Sequence, residues 1–156
     1  MLYAIIKRKK NKTFYDVLFK GRAFTLQRSY DNYVMENILF KISFPAEFHA
    51  QTAVECALQL HPLVKNKLDQ IEKIEVQTQN AAMRIISKTG PLHNPADRDH
   101  CLEYMIAVAL IDGALTAEHY EDVIAQNTLI DLLRNKMHVT ESERFSKEYL
   151  DPDKRS

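Results

Sequence analysis

Residues 101–111 read CLEYMIAVALI. Apolar side chains fill nearly every position, so a helix through this stretch has no polar face and must be enclosed by other elements. Its longest unbroken apolar run, residues 104–111, is eight long, against the roughly 20 that a membrane helix needs. The stretch is therefore expected to form the central helix of a folded core, with Tyr104 buried near its N-terminal end.

Outward from that helix the pattern alternates between helix and strand. Upstream, residues 87–97 contain Gly90-Pro91 and Asn94-Pro95, dense turn chemistry for a chain with three glycines and five prolines. Asn94 as N-cap with Pro95 in the first helical position is one way to begin the next helix, and a first turn near Asp97 is the other. Before this loop, residues 81–86 read as a short helix. Ile74, Val76 and Thr78 alternate with Glu75, Gln77 and Gln79 as in a half-buried strand. Ala50, Ala53, Val54, Ala57, Leu58 and His61 fall at helical spacing, with Pro62 expected to end the helix. The buried face of this helix is small, so its neighbour should approach closely. Lys41 opens a short strand-like run that halts at Pro45. Tyr15, Val17 and Phe19, then Phe24 and Leu26 across Lys20-Gly21, read as a hairpin. Downstream, residues 117–125 and 128–135 read as short helices and 137–139 as an edge strand. These elements predict an α+β fold, helices packed on a small antiparallel sheet. The expected division is a basic tail over 1–13, a domain over 14–140 and a charged tail over 141–156.

Composition narrows the function classes. The chain has 156 residues, 46% hydrophobic and 27% charged, with 21 basic against 21 acidic side chains. That is one domain by length, with no global charge to hold nucleic acid. The basic run of Lys7, Arg8, Lys9, Lys10 and Lys12 lacks interleaved aromatics and reads as a solvated tail. The first fifteen residues hold no apolar stretch followed by a small-residue cleavage site, so the expectation is a cytoplasmic protein without a membrane partner. Cys56 and Cys101 both fall in apolar helical stretches and are expected to be buried thiols. Two cysteines cannot supply the three or four thiolates that an iron–sulfur cluster commonly uses. His61, His93, His119 and His138 share no ligand-like spacing, so no metal is expected. Phosphate loops, nucleophile elbows and zinc signatures are absent from the sequence.

Four features can carry chemistry. His49 lies at the mouth of the helix that follows it, where unpaired backbone N–H groups favour an anion and a neutral imidazole; it suits proton transfer or a plain cap. Tyr104 suits protonation of a leaving oxygen or simple space filling. Asp97, Arg98, Asp99 and His100 crowd what is expected to be the first turn of the apolar helix. There Arg98 either pairs with an aspartate or grips a substrate carboxylate in a fork. Lys41 is either a surface charge or a second carboxylate partner.

Three stretches carry a resemblance: YVMENILFKISFPAEFH over 33–49, QTAVECA over 51–57, and RIISKTGPLHNPADRDHCLEYMIAVALIDGALTAEHYED over 84–122. Together they resemble the MmgE/PrpD family from residue 14 to the end. The GPL-x-NPADRDH loop is closer to the family's methylcitrate-dehydrating members than to those that decarboxylate cis-aconitate or epimerise iminodisuccinate. The resemblance implies a cofactor-independent hydro-lyase of propionate catabolism, in the methylcitrate cycle, taking 2-methylcitrate to 2-methylaconitate and water. It further implies a small tricarboxylate substrate, a homodimer, and a smaller α+β domain of ferredoxin-like character beside an all-helical domain. Carried over by position, His49 and Tyr104 are the expected catalytic residues and Lys41, less directly, a site lysine. Arg98 joins Lys41 as the expected substrate-binding pair.

These 156 residues do not cover the family's helical domain, which supplies much of the active site. The resemblance further implies another strand after the last residues, so the expected sheet is incomplete, and the chain alone is expected to be inactive unless a helical-domain partner completes it. Two other readings stay open: a non-catalytic remnant or interaction module, and another reaction of the same family.

Overall fold

The computed structural model describes Lys20, Arg22, residues 44–151, Asp153 and Lys154. The chain divides into two compact units, Met1–Phe40 and Lys41–Ser156, and every element below belongs to the second. The basic tail, the hairpin over 14–26 apart from Lys20 and Arg22, and Lys41 lie outside the described residues.

A 3-10 turn, Phe48–Ala50, leads into α1, Gln51–Val64. After a second 3-10 turn, Leu68–Gln70, come β1, Ile74–Thr78, and α2, Asn80–Ile86. Next stand α3, Pro95–Asp99, and α4, Leu102–Asp112. A 3-10 turn, Ala117–Tyr120, precedes α5, Asp122–Ala125, and α6, Thr128–Arg134. β2, Met137–Glu141, and α7, Glu143–Leu150, close the order.

α4 is the central helix that its composition predicts, with every residue from Leu102 to Leu110 buried. It ends at Gly113, which sits in the left-handed region at φ +66 and donates its N–H to the Ala109 carbonyl at 3.1 Å. The small face of α1 packs here: Val54 and Ala57 are buried, and the His61 ring donates from Nδ1 to the Leu110 carbonyl at 2.9 Å. A Cβ added at Gly113 would lie 2.6 Å from that ring, so glycine serves both the backbone angle and the close approach. Pro62 does not end α1, which continues to Val64 with Lys65 N–H on the His61 carbonyl at 2.9 Å. A proline this near a helix end removes one hydrogen bond and leaves the rest of the last turn intact.

The sheet corrects the antiparallel expectation. β1 and β2 pair in parallel, Ile74 opposite Met137 through Thr78 opposite Glu141. Helices α2 to α6 lie between the two strands, and a connection of that length returns the chain to run alongside its start, whereas a hairpin reverses it. The fold of the described residues is thus a helix-rich α+β unit with a two-stranded sheet. The alternation read in β1 holds: Ile74, Val76 and Thr78 turn inward and Glu75 and Gln77 outward.

Asn94 caps α3, its side chain accepting the Asp97 N–H at 2.9 Å, with Pro95 in the first position. Residues 97–99 of the polar cluster therefore belong to a helix of their own, with His100 as its C-cap, and not to the first turn of α4. His100 leaves the helical region and Cys101 is extended, so α4 starts afresh at Leu102. The stretch read as a charged tail contains α7, whose Ser142 N-cap accepts the Phe145 N–H. Among the described residues no helix is long and apolar enough to cross a membrane.

Candidate active site

The turn that carries His49 is built from buried polar side chains. Phe44, Pro45 and Ala46 present three successive carbonyls, and each has a partner. Gln51, 3% exposed, donates Nε2 to Ala46 at 2.6 Å and to Phe44 at 3.2 Å. Tyr120 donates its hydroxyl to Pro45 at 2.6 Å. The bonded carbonyls set where the next residues point.

Glu47 then caps the 3-10 turn, its Oε2 accepting the His49 N–H at 2.7 Å. The same carboxylate faces the His49 ring, with Nδ1 at 2.8 and 3.1 Å from its two oxygens. An ionised carboxylate only accepts, so Nδ1 carries a proton and, in the neutral ring, Nε2 is the acceptor. Nε2 lies 3.2 Å from the hydroxyl of Tyr149 on α7. A cavity of about 540 Å³ opens beside this group, walled by Thr52, Ala53 and Cys56 of α1, by Gln77 and Thr78 of β1, and by Phe145 and Tyr149 of α7. Lys154 also reaches it.

Of the residues read from the sequence, His49 is placed on this cavity. Tyr104 is buried in the core, 2% exposed, with its hydroxyl donating to the His119 carbonyl at 2.6 Å and its ring stacked on Tyr120. Burial pushes its phenol up to about 12. Arg98, 5% exposed, donates to the Tyr120 carbonyl at 2.6 Å and to Asp122 at 2.7 Å, not to Asp97 or Asp99. Neither Tyr104 nor Arg98 lines the cavity beside His49, and Lys41 lies outside the described residues.

Cys101 is buried as expected, but Cys56 is exposed on the cavity wall, because its position on α1 faces away from α4. Among the described residues no His, Cys, Asp and Glu side chains gather in threes to hold a metal ion.

Sequence reasoning passed over Glu47 and Tyr149. Glu47 had a local signal, a carboxylate two residues before a histidine and just after a proline turn. Tyr149 had a weaker one, its four-residue spacing from Phe145 on an otherwise charged helix.

Residues 44–156 match the family model described as the MmgE/PrpD C-terminal domain. The chain is 61% identical over 145 residues to the mitochondrial 2-methylcitrate dehydratase of Yarrowia lipolytica, covering 91% of this chain and 28% of that protein. It is 55% identical over 147 residues to 2-methylcitrate dehydratase of Escherichia coli K12, covering 92% of this chain and 30% of that protein. It is 54% identical over 159 residues to 2-methylcitrate dehydratase of Cupriavidus necator, covering 100% of this chain and 33% of that protein. The chain thus spans about a third or less of the length of these relatives.

Proposed function

The chain belongs to the MmgE/PrpD family, and from that premise we propose that it forms one wall of the active site of a hydro-lyase that removes water from 2-methylcitrate. The identity to three proteins named 2-methylcitrate dehydratase, between 54% and 61%, carries this reading. The braced His49 on its cavity supports it.

Removing water from a tricarboxylate breaks a C–H bond and a C–O bond and forms a double bond between the two carbons. A base takes the proton, an acid protonates the departing hydroxyl, and cations or N–H groups hold the carboxylates that do not react. His49 offers the base or acid nitrogen at Nε2, with Glu47 holding the opposite nitrogen. Lys41 and Arg98 are carried as carboxylate partners and Tyr104 as the second proton-transfer group. Tyr104 and Arg98 engage His119 and Tyr120 in this state, so their part in turnover requires those groups to rearrange. The ferredoxin-like expectation belongs here too, since a parallel pair joined through helices is one component of a split βαβ arrangement. The reaction places the chain in propionate catabolism, with the cytoplasm as its expected compartment.

The test is turnover of 2-methylcitrate, followed by ultraviolet absorbance of the unsaturated product. It is measured on the folded chain alone and on the chain joined to the remaining part of a relative. The expected result is little turnover alone, turnover in the joined protein, and loss of it in His49→Ala. A folded joined protein without turnover overturns the reading. Full activity in the His49→Ala form removes His49 from the chemistry.

A further inference from the structure

Two cavities, of about 540 and 410 Å³, are both lined by Tyr149 and Gln79. His49 lines the larger and Arg84 the smaller. Tyr149 therefore stands where the two meet, with its hydroxyl 3.2 Å from Nε2 of His49 and its ring centroid 5.6 Å from the imidazole.

The helix that carries Tyr149 is held in place. Ser142 N–H donates to the Thr78 carbonyl at 2.9 Å, at the end of β1. Asn80 donates its backbone N–H to Ser146 Oγ at 2.9 Å and its side chain to Glu141 at 2.9 Å. Ser146 in turn donates to the other oxygen of Glu141 at 2.7 Å. The first turn of α7 is thus fastened to β1 and α2 from both sides. Phe145 and Tyr149, four residues apart, share the face that lines the cavity. A side chain on a fixed helix is placed more tightly than one on a loop.

Glu47 accepts at Nδ1, so the neutral His49 ring has one acceptor position left, Nε2, and the nearby donor is the Tyr149 hydroxyl. We propose that Tyr149 is a positioning residue: it donates its O–H to Nε2 and, with Glu47 on the opposite nitrogen, holds His49 in one neutral tautomer with its acceptor nitrogen toward the cavity. The proposal rests on the reading of His49 as the proton-transfer group. It adds that the ring is ready before any ligand arrives, so no tautomer exchange precedes proton transfer. When a ligand proton transfers to Nε2, the hydrogen bond from Tyr149 breaks, the phenol keeps its own O–H proton, and the Nε2 lone pair forms the new N–H bond.

The test is nitrogen-15 NMR of the histidine side chains of this chain at a pH where the rings are neutral, with Tyr149→Phe as the variant. The expected wild-type spectrum shows His49 as the Nδ1–H tautomer, with the Nε2 resonance shifted by an accepted hydrogen bond. In Tyr149→Phe, Nε2 moves toward the position of a ring nitrogen without a donor, the second tautomer rises from undetected to a measurable share, and the backbone spectrum is kept. An unchanged Nε2 resonance in the variant overturns the proposal. If the variant does not fold, the wild-type spectrum decides: a His49 ring in the Nε2–H form, or exchanging between forms, overturns it, and a single Nδ1–H form with a hydrogen-bonded Nε2 upholds it. The spectrum needs no turnover, so an inactive joined protein with the expected spectrum sinks the hydro-lyase reading and leaves the positioning role standing.

Discussion

The hydroxyl of Tyr120 donates to the carbonyl of Pro45 across 2.6 Å, joining the core beside α4 to the turn that presents His49. Tyr120 is 7% exposed, and its own carbonyl accepts from buried Arg98. A core phenol and a core guanidinium thus set the position of a residue on the cavity, through backbone atoms alone.

Tyr120→Phe keeps the ring and its stacking on Tyr104 but leaves the Pro45 carbonyl without this donor. Loss of a buried hydrogen bond of this kind costs about 1–3 kcal/mol. The expected outcome is a lower urea midpoint with an unchanged denaturant slope, together with NMR shifts at Glu47 and His49. A variant whose midpoint falls while those two resonances stay put would show that the bond stabilises the core without steering the turn.

What was legible follows the reach of each signal. The all-round apolar composition of residues 101–111 is a local property, and α4 formed where it pointed. The same holds for the alternation in β1, whereas Asn94-Pro95, one of two starts read for the central helix, caps the separate helix α3. The pairing of β1 with β2 is not local: strand direction depends on the path of the helices between, which no window of residues encodes. The partnership of His49 with Tyr149 spans 100 positions, and nothing near His49 announces it. Tyr104 shows a different failure, in which a phenol on a buried helix was rightly placed in the core but its bonding partner, a backbone carbonyl, has no residue signature at all. Cys56 was misjudged because apolar neighbours on α1 do not reveal which side faces α4.

Gly113→Ala places a methyl group in the left-handed region and against His61. The backbone angle alone costs about 1 kcal/mol or more, and the 2.6 Å approach adds to it. In a double-mutant cycle with His61→Ala, removing the ring relieves the clash but not the angle. The two losses should therefore fall short of additive by the size of the clash. Strict additivity would mean that the ring moves aside freely.

Tyr104 titrates in the alkaline range, raised from 10.0 to about 12 by burial. Its folded-state value lies above its unfolded one, so between these two values the unfolded chain has released the proton that the folded chain keeps. Stability is then fully present below pH 10 and falls as pH rises toward 12. Tyr104→Phe should flatten that decline by up to about one proton's worth of slope. Denaturation midpoints measured across the window, with the variant alongside, check this; parallel slopes in the two proteins would show that Tyr104 does not carry the dependence.

Glu103 fastens the loop after α2 to the central helix. It is 5% exposed, and its two oxygens take the Ser87 hydroxyl at 2.5 Å and the Lys88 N–H at 3.0 Å. Glu103→Gln retains one acceptor for the Lys88 N–H and turns the other into a donor, which the Ser87 hydroxyl can accept by rotating. Glu103→Ala removes both acceptors and strands the Lys88 N–H. Each change should destabilise, the first by about 1 kcal/mol through the weaker neutral hydrogen bonds and the second by about 1–3 kcal/mol through the stranded N–H. Native-state hydrogen exchange at Lys88 separates the two: protection is lost in Glu103→Ala and kept in Glu103→Gln if the remaining oxygen turns to Lys88. Protection kept in both would mean that another group holds the loop to α4.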